Sequence, residues 1–373
     1  MNELNNPENV TKNKSVARWL FLITALAVVM VVLGGVVRLT ESGLSMVDWH
    51  IVTGIVPPMS EQGWQDEFAK YQQTPEYQKI NQGMALSEFK FIYYMDYAHR
   101  MLGRVIGLLY LLPFFYFWRK GVIRRTHLWR FASIGILLVF QGLFGWYMVK
   151  SGLIDMPRVS HYRLTGHLLL AFSFIALCLW TGLEWLGRDS VIRAHPVRST
   201  TRRFALATLV ALVVQITLGG LVAGLRAGLV SNTFPKMSQV WIPDFVWSMQ
   251  PWFINFIENP FMVHFVHRWN GFFVFFLAGI MMFYFRREQR TFALDVTLQA
   301  FMLLLGVQII LGIFTVLWQV PVLLASLHQA VALISFMALL VVLFQARISA
   351  MVAGMSDLAE SSQKQQPFEA DAV

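Results

Sequence analysis

Nine histidines and a single cysteine, Cys178, are the groups in this chain best suited to metal or redox chemistry. One cysteine excludes a disulfide scaffold and a CxxC zinc or iron–sulfur site. Four of the histidines, His99, His167, His267 and His328, stand near the start of apolar runs long enough to cross a membrane. A polar side chain inside a membrane helix is costly and faces the bundle interior. One such histidine alone reads as an interhelical hydrogen bond. Four, in two pairs expected at one depth, read as axial ligands of two haem irons. Zinc or copper would need its ligands gathered at one point, and these pairs come from different parts of the chain. His264 and His267 share a helix face at i, i+3, which alone is a weak metal signal. His127 and His195 fall in basic connections, and His50 and His161 in loops or at a span edge.

A porphyrin needs apolar walls and partners for its propionates. The 31 phenylalanines supply material for the walls. Arg100, Arg104 and Arg268 are candidate propionate partners by charge and position, with interfacial snorkelling as the other reading. Asp96 lies three residues before His99, so a continuous helix places both on one face. Two roles stand open for it: proton handling or charge stabilisation beside a ligand, or a helix N-terminal charge that complements the macrodipole.

These residues must be held by helices in lipid. Of 373 residues, 56% are hydrophobic and only 14% charged. Soluble domains are about 25% charged, and disorder requires low hydrophobicity. The net charge of +9 sits between apolar runs, where it reads as a topology signal rather than a nucleic-acid surface. Charge-free stretches cover residues 19–37, 131–149, 164–183 and 204–225. Residues 296–346 carry no charge and break at Trp318-Gln319-Val320-Pro321 into two spans. Residues 105–118 and 269–285 become full spans when extended backwards over the polar residues around His99 and His267. The expected fold is therefore all-α and polytopic, with eight transmembrane helices.

His-Arg-x-x-Gly occurs twice, at His99 and His267, and Gln-x-x-x-Gly at Gln141/Gly145 and Gln308/Gly312. His167 and His328 follow, and Gly34-Gly35 and Gly219-Gly220 mark the first span of each half. The order points to two pseudo-repeated four-helix bundles. The expected division is a tail at 1–18, an N-terminal half at 19–186 with a long outer loop at 38–95, and a linker at 187–202. A C-terminal half follows at 203–347 with an outer loop at 226–260, then a disordered tail at 348–373. Lysine and arginine cluster in alternate connections, which places both termini in the cytoplasm. Trp241, Trp247 and Trp252 in the second outer loop suit a membrane interface. The N-terminus has neither a signal-peptide core nor the Arg-rich, acid-poor character of a transit peptide, so a bacterial inner membrane is expected.

The strings ESGLSMVDWH, EFKFIYYMDYAHRMLGR, QGLFGWYMVKSGL, VSHYRLTGHL, NTFPKM, ENPFMVHFVHR and ASLHQ together resemble haem A synthase, in the long-loop type of proteobacteria and mitochondria. The resemblance runs from about Gly34 to Gln329. It implies oxygen-dependent, successive oxidation of the C8 methyl of haem O to the formyl group of haem A, for terminal oxidases. It implies that His99 and His167 hold the substrate haem, and that His267 and His328 hold a haem b cofactor. The family pattern has glutamate where this chain has Asp96. A displacement of ~1 Å in a catalytic group can cost ~100-fold, so the shorter carboxylate needs adjusted geometry, a water, or a less central role. Short-loop members can carry outer-loop cysteine pairs, whereas Cys178 lies in a span.

Two other readings compete. A di-haem electron carrier of the cytochrome b561 kind would use the same four ligands and leave both haems unchanged. The other is a transporter or assembly factor whose histidines serve protons or haem delivery; a transporter would show helices broken at the midplane, and here the polar residues gather at the outer end instead. No flavin, nicotinamide or iron–sulfur motif is present, so electrons must come from a partner or a quinol. Contact with a haem O synthase and a homo-oligomer are both compatible with the sequence.

Overall fold

The computed structural model describes residues 7–48, 56–152, 159–187, 198–288 and 291–364. His50, His195 and most of the linker at 187–202 lie outside the described residues. Among the described residues eight helices are long and apolar enough to cross a membrane, and there is no β-strand. The protein is an all-α, multi-pass membrane protein. Only helices satisfy their own backbone polar groups in lipid without closing into a barrel.

The membrane helices are α1 (Pro7–Leu39), α4 (Leu86–Arg119), α5 (Arg125–Gly152), α6 (His161–Gly187), α7 (Ser199–Gly224), α9 (Pro260–Phe285), α10 (Phe292–Leu317) and α11 (Val322–Lys364). Short helices α2 (Glu61–Gln72) and α3 (Pro75–Lys79) lie in the first long loop, and α8 (Asn255–Glu258) in the second. Helix starts follow capping chemistry. Asn259 caps α9 by accepting from Phe261 and Met262, with Pro260 at the first helical position. Thr291 caps α10 through Leu294 N–H. The break between α10 and α11 falls at the expected tetrapeptide, where Gln319 and Val320 turn the chain at φ 59° and 61°.

Helices α1, α6, α7 and α11 form the buried centre, and α4, α5, α9 and α10 are more peripheral. The outer faces of the peripheral helices carry Leu112, Ile136, Phe276 and Leu303, all exposed, as a lipid-facing surface must. The loop-face ends of α1 and α7 meet each other. Arg38 donates to Ala223 O at 2.5 Å, and Arg226 pairs with Glu41. Glu41 and Arg226 both adopt left-handed backbone, at φ 55° and 54°. The two contacts join positions separated by the same sequence distance, 185 residues. Equal separations are what the ends of two helices running in the same direction give.

Three boundaries differ from expectation. Helix α4 begins at Leu86 rather than beyond Met95, so it projects above the membrane segment. Its apolar positions Phe89, Ile92 and Tyr93 pack against Met46, Trp64 and Tyr71 of the first loop, and this packing extends the helix. Helix α1 starts at Pro7, inside the expected tail, as proline favours a first helical position. Helix α11 continues to Lys364 where a disordered tail was expected from 348. That stretch carries three alanines and two methionines and lacks proline, which favours helix.

The first loop is therefore a small folded unit. Glu76 is buried within it at 3% exposure. Tyr71 donates its hydroxyl to Glu76 at 3.3 Å and accepts from Asn81 at 2.8 Å. Burial pushes the Glu76 carboxyl up to about 8. The Tyr71 hydrogen bond opposes this rise, and Glu41 and Asp96 add to it. A carboxyl raised in the folded state binds its proton more tightly than in the unfolded chain. Its contribution is then fully present below the ordinary value of 4.5 and is lost as pH rises towards about 8. A tenfold change in proton affinity corresponds to about 1.4 kcal/mol. Glu76→Gln should make the loop's resistance to limited proteolysis independent of pH over this window. The wild-type loop should become more easily cleaved towards the alkaline side.

Candidate functional site

Each of the four membrane histidines faces a glycine on the preceding membrane helix. A Cβ at Gly34 would stand 3.0 Å from His99 Nε2, and at Gly145 3.1 Å from His167 Cε1. At Gly219 it would stand 3.3 Å from His267 Cε1, and at Gly312 3.0 Å from His328 Cε1. Any larger residue would displace the ring, so the glycines set where each imidazole sits. Gly312→Val should push His328 out of place. Overpacking of this kind costs about 1–3 kcal/mol, and the expected readout is a lower thermal stability with Gly312→Ala intermediate.

The structure brings the four rings together as two pairs. His267 and His328 face one another with ring centroids 6.4 Å apart and planes at 77°. His99 and His167 lie close enough to interact electrostatically. Glutamines one turn before the glycines add polar contacts. Gln141 Nε2 lies 3.2 Å from His167 Nε2 and donates to His167 O at 3.1 Å. Gln308 Nε2 lies 3.2 Å from His328 Nε2. With an amide N–H as donor, the ring nitrogen accepts and the proton sits on Nδ1. The lone pair a metal would take is thus the one the glutamine engages.

The Nδ1 atoms of His167, His267 and His328 are buried without a hydrogen-bond partner, as are Gln141 Oε1 and Gln308 Oε1. Such groups cost ~1–3 kcal/mol each. These rings therefore make few hydrogen bonds with the protein, and a metal at Nε2 of His167 or His328 would take the place of the glutamine amide. Two in-line metal–nitrogen bonds of ~2 Å place imidazole centroids ~6 Å apart, so the His267–His328 separation fits one metal ion between the rings. Two nitrogens cannot complete a metal's coordination. Among the described residues no three His, Cys, Asp or Glu side chains gather as a metal site. The donor set therefore suits a metal carried in a planar macrocycle. Phe144 lies parallel to His167, with ring centroids 6.3 Å apart.

The place of the histidines within their helices differs from expectation at one position. His167, His267 and His328 fall in the second turn of their helices, whereas His99 is nearly four turns into α4, because α4 starts early. Asp96 does not reach His99 for a partner. It accepts both Nε and Nη2 of Arg100, at 2.9 and 2.7 Å, and both side chains are buried. Arg100 Nη2 also reaches Met46 O at 3.4 Å. Arg104 is half-buried and lies 3.7 Å from Met101 Sδ. Arg268 donates to Thr233 O at 2.8 Å, Ser231 O at 3.0 Å and His264 Nε2 at 3.0 Å. It fastens the second loop to α9.

Two further residues were not singled out by sequence. Gln215 donates to His267 O at 3.0 Å and accepts from Asn270 at 2.9 Å. Gln215 precedes Gly219 by the same spacing as the other glutamine–glycine pairs, so the signal was present. The equivalent place before Gly34 holds Met30. Gln329 donates to Val31 O at 2.9 Å, and a Cβ at Gly35 would run into its amide. This contact joins the helix of His328 to the helix that faces His99.

Fold and site together define a class: polytopic helical membrane proteins with two half-buried, glycine-backed histidine pairs. Within that class the chain belongs to the cytochrome oxidase assembly protein family COX15-CtaA, whose profile matches residues 17–342. It is similar to a protein named Heme A synthase from Nitrosospira multiformis. The two are 43% identical over 327 residues, covering 88% of this chain and 92% of that protein. Heme A synthase COX15 of Homo sapiens is 45% identical over 324 residues, 84% of this chain and 78% of that protein. Heme A synthase of Bradyrhizobium diazoefficiens is 43% identical over 326 residues, 86% and 88%.

Proposed function

We propose that this chain is a haem A synthase, which oxidises the C8 methyl of haem O to the formyl group of haem A. The observation that carries the reading is the pair of glycine-backed histidine sites, and the names of the chain's relatives support it. His99 and His167 hold the substrate haem, and His267 and His328 hold haem b. When bound, haem b supplies one-electron transfer to the first site. The protein's own contribution is placement. Gly34 and Gly145 fix the first pair of rings, Gly219 and Gly312 the second, and the apolar helices exclude water. Arg100, Arg104 and Arg268 are the candidate propionate partners, with Arg100 also serving Asp96 and Arg268 the second loop. The buried Asp96–Arg100 pair fixes the turn of α4 that carries His99, and Asp96 is thereby a positioning residue.

In this reading electrons arrive from a membrane partner or a quinol, and haem O arrives from its synthase. Both termini face the cytoplasm of a bacterial inner membrane, and the long loops face out. A di-haem carrier of the b561 kind has one observation in its favour: each histidine pair would fill both axial positions of an iron. Haem extraction separates the two. The chain is produced with a haem O synthase in a host that makes no haem A, and the extracted haems are weighed. A formyl-bearing haem establishes the synthase. Unchanged haem O and haem b, even with membranes of the native source added, would establish the carrier.

A further inference from the structure

The second long loop presents an apolar surface that no part of the proposed chemistry uses. Trp241, Ile242, Trp247, Trp252 and Phe253 are 54%, 63%, 51%, 61% and 55% exposed. They are held outwards by a buried polar knot. Asn255 Nδ2 donates to Met249 O at 2.8 Å and Trp252 O at 2.9 Å. Asn259 Nδ2 donates to Phe245 O at 3.0 Å and Val246 O at 3.1 Å. The asparagines satisfy the turns' carbonyls internally, so these need no water, and the aromatic rings cannot fold in over them.

A rigid apolar patch of this kind marks a contact surface. Its continuity identifies the occupant. Trp241 lies 6.4 Å from Trp269, which lies 6.1 Å from Phe272, and Phe245 packs at 4.3 Å on Phe261. Trp269, Phe272 and Phe276 belong to the exposed face of α9, which is lipid-facing. The aromatic surface of the loop thus extends that of a membrane helix without interruption. Between residues 227 and 259 the only charges are Lys236, Asp244 and Glu258. Lys236 lies over the Trp241 ring at 5.9 Å, and Glu258 is engaged by Tyr162 and His161. The first loop is the opposite case, with exposed Glu61, Gln62 and Lys70.

We propose that residues 240–257 form an interfacial belt that inserts its aromatic side chains into the lipid leaflet on the loop face. Tryptophan favours that depth, where its ring lies in the acyl boundary and its N–H in the headgroups. The belt anchors the loop that Arg268 ties to α9, and so holds the outer end of the His267–His328 site against the membrane.

The test uses the unmodified chain in lipid vesicles, exposed to hydroxyl radicals and analysed by mass spectrometry. Trp247 and Trp252 should oxidise several-fold more slowly than Met59 of the first loop, which is 84% exposed. Equal oxidation overturns the proposal. A nitroxide at Trp247→Cys gives the depth directly, since Cys178 is buried and takes no label. It should relax with oxygen rather than with an aqueous nickel chelate, and a label at Glu61→Cys should do the reverse. Protection in native membranes but not in pure lipid vesicles would also overturn the proposal, and would assign the surface to a protein partner.

Discussion

Alanine at His267 or His328 should leave the protein without its haem b absorption and without haem A formation. Alanine at His99 or His167 should keep that absorption and abolish conversion of haem O alone. The rings of the second pair are half-buried and 6.4 Å apart, so in the proposed reading each would supply half of what the protein gives one metal. Loss of a residue that merely supports a ligand costs ~10–100-fold in metal affinity, and loss of a ligand should exceed ~100-fold. The alternative effect, a cavity in a membrane helix, would lower stability in all four variants alike. Haem spectra and haem mass analysis on the same membranes separate the two. If all four variants lost haem b equally, the assignment of separate sites would fail.

Removing the Asp96 carboxylate should be the most destabilising single polar change in the chain. Asp96 and Arg100 are both buried and joined by two hydrogen bonds of 2.7 and 2.9 Å. Breaking one partner of a buried ion pair costs about 3–5 kcal/mol, because the remaining charge stays in a low dielectric. Asp96→Asn should therefore lower the yield of folded protein, and Asp96→Asn with Arg100→Leu should recover part of it. Asp96→Glu retains the charge and tests the length. A purely positioning carboxylate predicts that the activity remaining in Asp96→Glu keeps the wild-type pH profile. A carboxylate that moves protons predicts a shifted profile with unchanged stability.

Fold and site are legible in the sequence to different degrees. The eight spans, the break at Trp318–Pro321 and the four histidines follow from hydropathy and residue type, because lipid leaves the backbone few alternatives. All three glutamine–glycine pairs are present in the sequence as well. Only two stand out there, since a spacing of four acquires meaning once a helix places both residues on one side. The early start of α4 is hidden. It depends on Phe89, Ile92 and Tyr93 finding Met46, Trp64 and Tyr71, and such packing has no local signature.

Residue types and spacing determined that this protein is a bundle of membrane helices with four chemically competent histidines, and which residues share a helical turn. Only the tertiary structure decided the partners. It gave Asp96 to Arg100 rather than to His99, Arg268 to the carbonyls of Ser231 and Thr233, and a glycine to each imidazole. It also buried Glu76 beneath the first loop and turned the tryptophans of the second outwards. The reason is physical. Helix formation is set by local propensity and solvent, whereas a charged or aromatic side chain is committed only when neighbouring helices close around it and remove its water.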